Sequence, residues 1–319
     1  MSNRLAGEVR DETGGLAAAA LEHALSVRLG LEAGWSFLPQ LLVSGILSGL
    51  VYALIAVGLT LIYGVMEIVN FAHGEFLMLA MYATLGLAAL GVGPLLALPL
   101  AALAMFGFGF VLYRMYVRRL LAGPPEAQIF GTFGLLVLLQ GIAQFAFSSD
   151  YRGLPNPPFA ASLHVGSLSL GGPQLAAGIG AIVITALLVA FIEFTETGRA
   201  LRALSEDRMA AMLMGIDVER MNAFAFGLGA ACTGAAGALL MLYYQVHPRI
   251  GTEFALTAFV VVALGGFGSM RGALLAAVLV GIVEVLAGFY LSPAIKMIPV
   301  YALYLAVVLL RPQGLLGRR

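Results

Sequence analysis

A single cysteine, Cys232, stands inside an apolar run of the 319-residue chain, so the chain holds neither a disulfide nor a cysteine metal site of its own. Lysine is as rare: of the 17 basic residues only Lys296 is one, which excludes a polybasic lysine arm for nucleic acid or anionic lipid. A formal net charge of zero excludes polyanion binding as the main activity. His23, His73, His164 and His247 are scattered without metal-ligand spacing, and no HExxH or GxSxG occurs. The stretch GGFGSMRG at 265–272 has glycines like a phosphate loop but lacks both the Gly-Lys-Ser/Thr ending and a preceding strand. It reads as a tight turn between two apolar helices. The chain is therefore expected to have no catalytic centre, no cofactor or metal, and no ATPase site.

Charge itself is scarce. Only 11% of residues are charged against 61% hydrophobic, the mean hydropathy is +0.98, and there are 40 glycines. Such a chain has no charged surface to keep it in solution. Apolar runs of about 18 or more residues recur along it, which indicates an all-α polytopic membrane protein. Nine segments can be drawn, at 37–63, 71–90, 94–113, 129–147, 175–192, 221–243, 254–268, 273–290 and 298–310. The seventh and ninth are short for a full crossing, so the expectation is eight to nine transmembrane helices. Residues 1–36 differ in composition and read as an extramembrane tail. Leu16, Leu21, Leu25 and Leu29 are spaced for a surface helix, and Trp35, the only tryptophan, sits where an interfacial anchor belongs.

Arginines set the orientation. Arg114, Arg118, Arg119, Arg199, Arg202, Arg208, Arg220, Arg271, Arg311, Arg318 and Arg319 all fall in loops on one side, which the positive-inside rule makes cytoplasmic together with the C-terminus. The longest loop on the other side, 148–174, is rich in proline and glycine and reads as a turn-rich cover. Displacing the chain by 178 positions sets Gly74-Glu75-Phe76 over Thr252-Glu253-Phe254, Ala80 over Ala258 and Leu96 over Leu274. The orientation puts the first copy at the cytoplasmic ends of segments one and two, and the second at the external ends of six and seven. Two inverted halves, about 37–148 and 221–311, follow from that, a plan used by transporters whose path runs between the halves.

Ionisable groups at membrane depth mark a path, a partner or a gate. The candidates are Glu67, Asn70, His73 and Glu75 in GVMEIVNFAHGEF, Glu253 in the second copy, and Glu284 within segment eight, which either lines a path or bonds a neighbouring helix. The competing reading of the first four is a solvated helix corner at the cytoplasmic interface. Gln140 and Gln144 read as glue between helices. The one long charged run, 193–221, is patterned like short helices. Ser205 is placed to cap a helix from Glu206 to Met214, Gly215 closes it, and Asp217 restarts the next. Met209, Met212, Leu213 and Ile216 share a face beside Ala210 and Ala211, which suits a docking surface or a helix lying in the headgroups.

In GLTLIYGVMEIVNFAHGEFLMLAMYA (58–83), RALSEDRMAAMLMGIDVERM (202–221), ALGGFGSMRGALLAAVLVGIVE (263–284) and RPQGLLG (311–317) the chain resembles the permease of bacterial ABC importers for branched-chain amino acids, specifically the LivH-type subunit. The resemblance runs from residue 37 to the C-terminus, making 37–319 an ABC permease domain in the bacterial inner membrane. It implies a heterodimer with a related second permease, two cytoplasmic ATPases that use the ATP, and a periplasmic substrate-binding protein. Importer permeases carry a cytoplasmic Glu-Ala-Ala, three residues, Gly loop that docks on the ATPase. Met209-Ala210-Ala211 and Gly215 keep that spacing with methionine in place of glutamate, which shifts attention to Glu206, Asp207 and Arg208 for the polar contacts. Urea or short amides are the alternative cargo. An ion-coupled secondary transporter is a different class, and it would want clustered carboxylates where Glu67, Glu75 and Glu284 lie far apart in sequence.

Overall fold

The computed structural model describes residues 37–155, 158–166 and 168–316; the readings made for 1–36 lie outside the described residues. The described residues open with α1 (Phe37–Met66), a helix of 30 residues. After a break come α2 (His73–Ala89), α3 (Pro94–Leu121, with a π turn at Tyr113–Val117) and α4 (Pro125–Phe147). Proline at the first turn of α3 and α4 begins each helix where its missing N–H costs nothing. The 148–171 loop holds a small antiparallel hairpin, β1 (Ser162–Val165) and β2 (Leu168–Gly171), with Leu163 opposite Leu170. This hairpin is the one departure from an all-helical reading among the described residues.

α5 (Gly172–Phe194) leads into two short helices, α6 (Glu196–Glu206) and α7 (Arg208–Leu213). Then follow α8 (Val218–Leu240), α9 (Ile250–Gly265), α10 (Met270–Tyr290), a 3-10 turn at Pro293–Ile295 and α11 (Met297–Leu310). Among the described residues seven helices are long and apolar enough to cross a membrane: α1, α3, α4, α5, α8, α10 and the 3-10 turn with α11. The ninth segment, with its 3-10 turn, is long enough to cross; the shorter pieces are α2 (17 residues), which is segment two, and α9 (16 residues), which is the seventh segment, short as expected. Each runs on from a non-helical break, so segment two is shorter as a helix than its apolar run suggests.

α1 and α8 form the centre, with 83% of each hydrophobic window buried, whereas α11 has 6% of its window covered. The centre is packed through small residues. Gly45 and Gly49 of α1 lie against Gly281 and Ala277 of α10, and Gly227 of α8 lies against Phe106 of α3, so backbones approach closely and van der Waals contact replaces the hydrophobic drive absent in lipid. The 266–269 turn between α9 and α10 is as the glycines indicate. The RPQGLL stretch at 311–316 straps it, with Leu315 N–H donating to Leu264 O (2.8 Å) and Leu316 N–H to Gly265 O (3.1 Å), which satisfies the last carbonyls of α9.

Candidate functional site

Two arrangements of residues stand out, one at the centre of the helix bundle and one at its arginine-rich end. At the centre, α1 ends at Met66 and the chain turns back. Glu67 takes a left-handed conformation (φ 57°), rare for a residue with a Cβ, and marks the reversal. The break is held by polar side chains: Asn70 Oδ1 accepts from Ala72 N–H (3.1 Å), and Thr132 of α4 donates to Val69 O (3.3 Å). Asn70 thus braces the turn before α2, whose N-cap position is Ala72. α2 then begins deep in the molecule. His73 Nε2 lies 3.1 Å from Ile55 O, which only accepts, so that nitrogen carries the proton, and it is 2.7 Å from Thr233 Oγ1 of α8.

The break after α8 is its counterpart. Turns at Leu242, Tyr243 and Tyr244 lead to Val246, which exchanges two backbone hydrogen bonds with Arg152 of the 148–155 loop (2.7 and 2.9 Å). α9 then starts with Phe254 packed on Tyr52 of α1 (5.9 Å). Tyr52 and Ile55 lie at the middle of α1, so α2 and α9 both begin at mid-depth. They leave in opposite directions, α2 toward Phe147, which stacks on Tyr82 (4.1 Å), and α9 toward the turn where Phe267 meets Tyr63 (4.7 Å).

Where the two helices start, they touch. A Cβ added to Gly74 would collide with Gly251 O, and one added to Gly251 would lie 2.6 Å from Glu75 Oε2. Glu75 Oε1 accepts from Gln140 Nε2 of α4 (3.0 Å), and Gln140 Nε2 is also 2.6 Å from Thr252 Oγ1 of α9. Glu75 is fully buried, and its Oε2 has no hydrogen-bond partner among the described residues. The carboxyl group sits in the first turn of both helices, where their aligned N–H dipoles favour a negative partner.

The structure therefore joins Asn70, His73 and Glu75 in one sealed interior, all 0% exposed, and excludes a solvated corner for these three. Glu67 is exposed at the bend, and Glu253 faces out from α9, 3.6 Å from His247. The stretches around Glu75 and Glu253 do not lie at opposite ends of the molecule. They meet at its centre, because each lies in the first turn of a helix that starts at mid-depth. Glu284 of α10 is buried and bonds Lys296 Nζ (2.6 Å), tying α10 to the turn before α11. Gln140 is glue, but glue on Glu75; Gln144 bonds Ser149 at the exposed edge.

At the arginine-rich end, α6 is capped by Thr195, whose Oγ1 accepts from Gly198 N–H (3.0 Å), and buries Gly198, Leu201 and Leu204. α7 begins at Arg208, not Glu206. Its cap is Asp207, accepting from Ala210 N–H (2.9 Å), while Ser205 donates to Arg202 O at the end of α6. Glu206 belongs to α6 because Asp207 is extended and interrupts the helix. Gly215 (φ 83°) closes α7: Gly215 N–H donates to Met212 O and Ile216 N–H to Ala211 O, the paired bonds of a left-handed C-terminal cap. Asp217 caps α8 through Arg220 N–H (3.0 Å), as its position in sequence implies. Ala211 packs inward. Met209, Leu213 and Met214 are 64%, 83% and 82% exposed, so the methionine face is presented outward. Arg118 pairs with Glu219 and ties the end of α3 to the base of this projection.

The profile of a family described as branched-chain amino acid transport system / permease component matches residues 41–308. The chain belongs to this permease family. BraD of Pseudomonas aeruginosa, a high-affinity branched-chain amino acid transport system permease protein, is 33% identical over 294 residues, covering 88% of this chain and 95% of BraD. LivH of Escherichia coli K12, described in the same words, is 33% identical over 297 residues, covering 88% and 96%. LivM of Salmonella typhimurium is 27% identical over 292 residues, covering 84% of this chain and 68% of LivM. The family and the seven candidate spans together make this a multi-pass membrane protein.

Proposed function

We propose that the chain is the membrane-spanning permease subunit of an ATP-driven importer for branched-chain or similar amino acids, with residues 37–319 as the permease domain and 1–36 as a tail. The observation that carries the reading is the 33% identity, over nearly the full length of BraD and LivH, to permeases of that transport system. The chain binds no cofactor and has no ATPase site of its own. Energy enters from two cytoplasmic ATPases, and a second permease of the LivM kind and a periplasmic binding protein complete the machine. The exposed methionines of α7 support a docking role, with Glu206, Asp207, Arg208, Met209, Ala210, Ala211 and Gly215 forming the coupling loop.

The finer fold follows from the breaks. Counting α2 and α9 as crossings completed by their extended lead-ins gives nine, with the C-terminus in the cytoplasm of a bacterial inner membrane. The 178-residue displacement sets α1 over α8, α2 over α9 and α3 over α10, and the cross-packing of α1 on α10 and of α3 on α8 is what a pseudo-two-fold axis between inverted halves requires. ATPase closure pushes α7, and α8, which follows it, carries that displacement to the central crossing, where His73 and Glu75 tie the halves to one another while Asn70 and Glu284 brace the half each belongs to. Glu67 and Glu253 stay at exposed edges of the path.

Reconstitution in liposomes is the test. Uptake of leucine, isoleucine or valine is expected only with the ATPases, ATP inside and the binding protein outside. Uptake by this chain alone under an ion gradient would overturn the reading, and uptake of urea or short amides in place of amino acids would change the cargo.

A further inference from the structure

Where α2 and α9 touch, hydrogen-bond acceptors converge. Gly251 has no side chain, and the space a Cβ would take there is bounded by Glu75 Oε2 at 2.6 Å and Gly74 O at 2.7 Å. The Gly251 carbonyl in turn lies where a Cβ of Gly74 would be. Glu75 Oε2 is fully buried and accepts no hydrogen bond among the described residues. Glu75 forms no ion pair there either: its partners, Gln140 and Thr252, are both neutral. A buried carboxylate with neutral partners alone is costly until a cation joins it. For a divalent ion the site is short of ligands, since no group of three His, Cys, Asp or Glu forms among the described residues. One carboxylate oxygen with two carbonyls is instead the complement of an ammonium group, which has three N–H donors and accepts nothing.

The cluster sits one layer behind an open side. Thr252 is half-buried, and Glu253 beside it has its side chain 64% exposed. α9 starts at mid-depth, where a bare carboxylate does not face hydrocarbon. The Glu253 side of α9 therefore faces a path or the second permease, and only Gln140 and Thr252, joined at 2.6 Å, stand between it and Glu75. Turning the Gln140 side chain aside frees Glu75 Oε1 and Thr252 Oγ1. The first turns of α2 and α9 direct their N–H dipoles to the same point, which suits the carboxylate of an amino acid. Ala255 borders Gly74, and Phe259, one turn further along α9, has its ring 5.4 Å from that of Phe71. An ammonium, a carboxylate and an apolar side chain each meet a matching group within this short stretch.

We infer that Glu75 receives the α-ammonium group of the transported amino acid, with Gly74 O and Gly251 O as its further acceptors and Gln140 as the side chain that turns aside to admit it. The inference deepens the transport reading and rests on it. It also gives the two contacting glycines a second role besides close packing: a Cβ at 251 would take the seat of the ammonium.

The test uses the assembled transporter, with the second permease and the ATPases but without the binding protein, so that the permease meets the probe directly. The probe is leucine carrying a photoactivatable diazirine in its side chain. Adducts are expected on the peptides holding Phe71 to Ala80 and Ile250 to Phe259. Excess leucine, or leucinol, which keeps the ammonium without the carboxylate, should remove them, whereas isocaproate, which lacks the ammonium, should leave them in place. Glu75→Gln keeps the size and loses the charge, and should weaken labelling roughly tenfold, the effect of losing one charge-assisted hydrogen bond; Glu75→Asp should keep part of it. Equal competition by isocaproate, unchanged labelling of Glu75→Gln, or displacement of the probe by sodium ions alone would overturn the inference. The competition is read on the unaltered chain, so it decides the matter even where Glu75→Gln fails to assemble. A transporter that takes up leucine with ATP and the binding protein but is labelled elsewhere refutes this site and leaves the transport reading standing; one that takes up no amino acid removes both.

Discussion

Replacing Gly74 with alanine tests the central crossing most directly. The new methyl would run into the Gly251 carbonyl and lie 2.8 Å from Ala255 Cβ, and neither atom can rotate aside because both are fixed to α9. Overpacking of this kind costs ~1–3 kcal/mol. Against it stands the gain of alanine over glycine in a helix, at most ~1 kcal/mol and less in the first turn, where Gly74 sits. The net expectation is a loss of about 1–2 kcal/mol. Gly86, in the same helix, has no atom within 4 Å of an added Cβ, so Gly86→Ala should stabilise by ~0.5–1 kcal/mol. One substitution thus has opposite signs twelve residues apart, separated by ~2–3 kcal/mol, or roughly 30- to 150-fold in the folded-to-unfolded ratio. Unfolding of the purified chain in mixed micelles with rising dodecyl sulfate, followed by circular dichroism, reads both signs. A Gly74→Ala chain as stable as the parent would show that α2 and α9 do not meet there.

Gln140→Leu removes a donor from the Glu75 carboxyl and should cost ~1–3 kcal/mol in the same assay; Thr252→Val should add less on top of it than alone, since both act on one cluster. Lys296→Gln leaves the Glu284 carboxylate buried without its cation. A loss of about 1–3 kcal/mol is expected, below the ~3–5 of a fully buried pair because Lys296 is one-third exposed, and Glu284→Gln added to it should restore part of the loss. Asp207→Ala removes the cap of α7, worth ~1 kcal/mol, and should weaken stimulation of the partner ATPases without affecting insertion; unchanged stimulation would separate α7 from coupling. Ala211→Arg, which forces charge into the inward face of α7, should uncouple ATP hydrolysis from uptake altogether.

Most of the helices are legible in the sequence because apolar runs in lipid have one solution, and the glycine turn at 265–272 and the cap at Asp217 carry local signals. What stays hidden is set by tertiary contact. Phe71 to Leu90 is apolar enough to read as an ordinary span, and only the packing of His73 on Ile55 shows that its helix begins halfway in. The choice of Asp207 over Ser205 as cap turns on Asp207 being extended, which lets α6 absorb Glu206. Both residues are good caps, so local propensity does not choose between them. The Glu284 to Lys296 pair does leave a signal: the sole lysine stands twelve positions after an acid set well inside a span, beyond Pro293, at a distance a short turn can close.

The two breaks explain why the chain carries α4 and the 148–155 loop at all. Each interruption of a helix at membrane depth frees N–H and C=O groups that lipid cannot satisfy. At 67–72 these groups are met by Asn70 from within the break and by Thr132 reaching Val69 O from α4. At 241–249 they are met by local turns and by Arg152, whose backbone pairs both ways with Val246. α4 supplies a second tie through Gln140, at the point where the half-length helices touch. Each break thus has its own covering element, and the two differ because one break faces α4 and the other faces the loop that follows it. Each break is held by its own cover, so cutting the backbone pairing with Arg152→Pro should loosen α9 while leaving α2 fixed. Hydrogen exchange at Ile250 to Phe254 against His73 to Phe76 measures that difference, and equal loosening of the two would mean that the breaks are not separately covered.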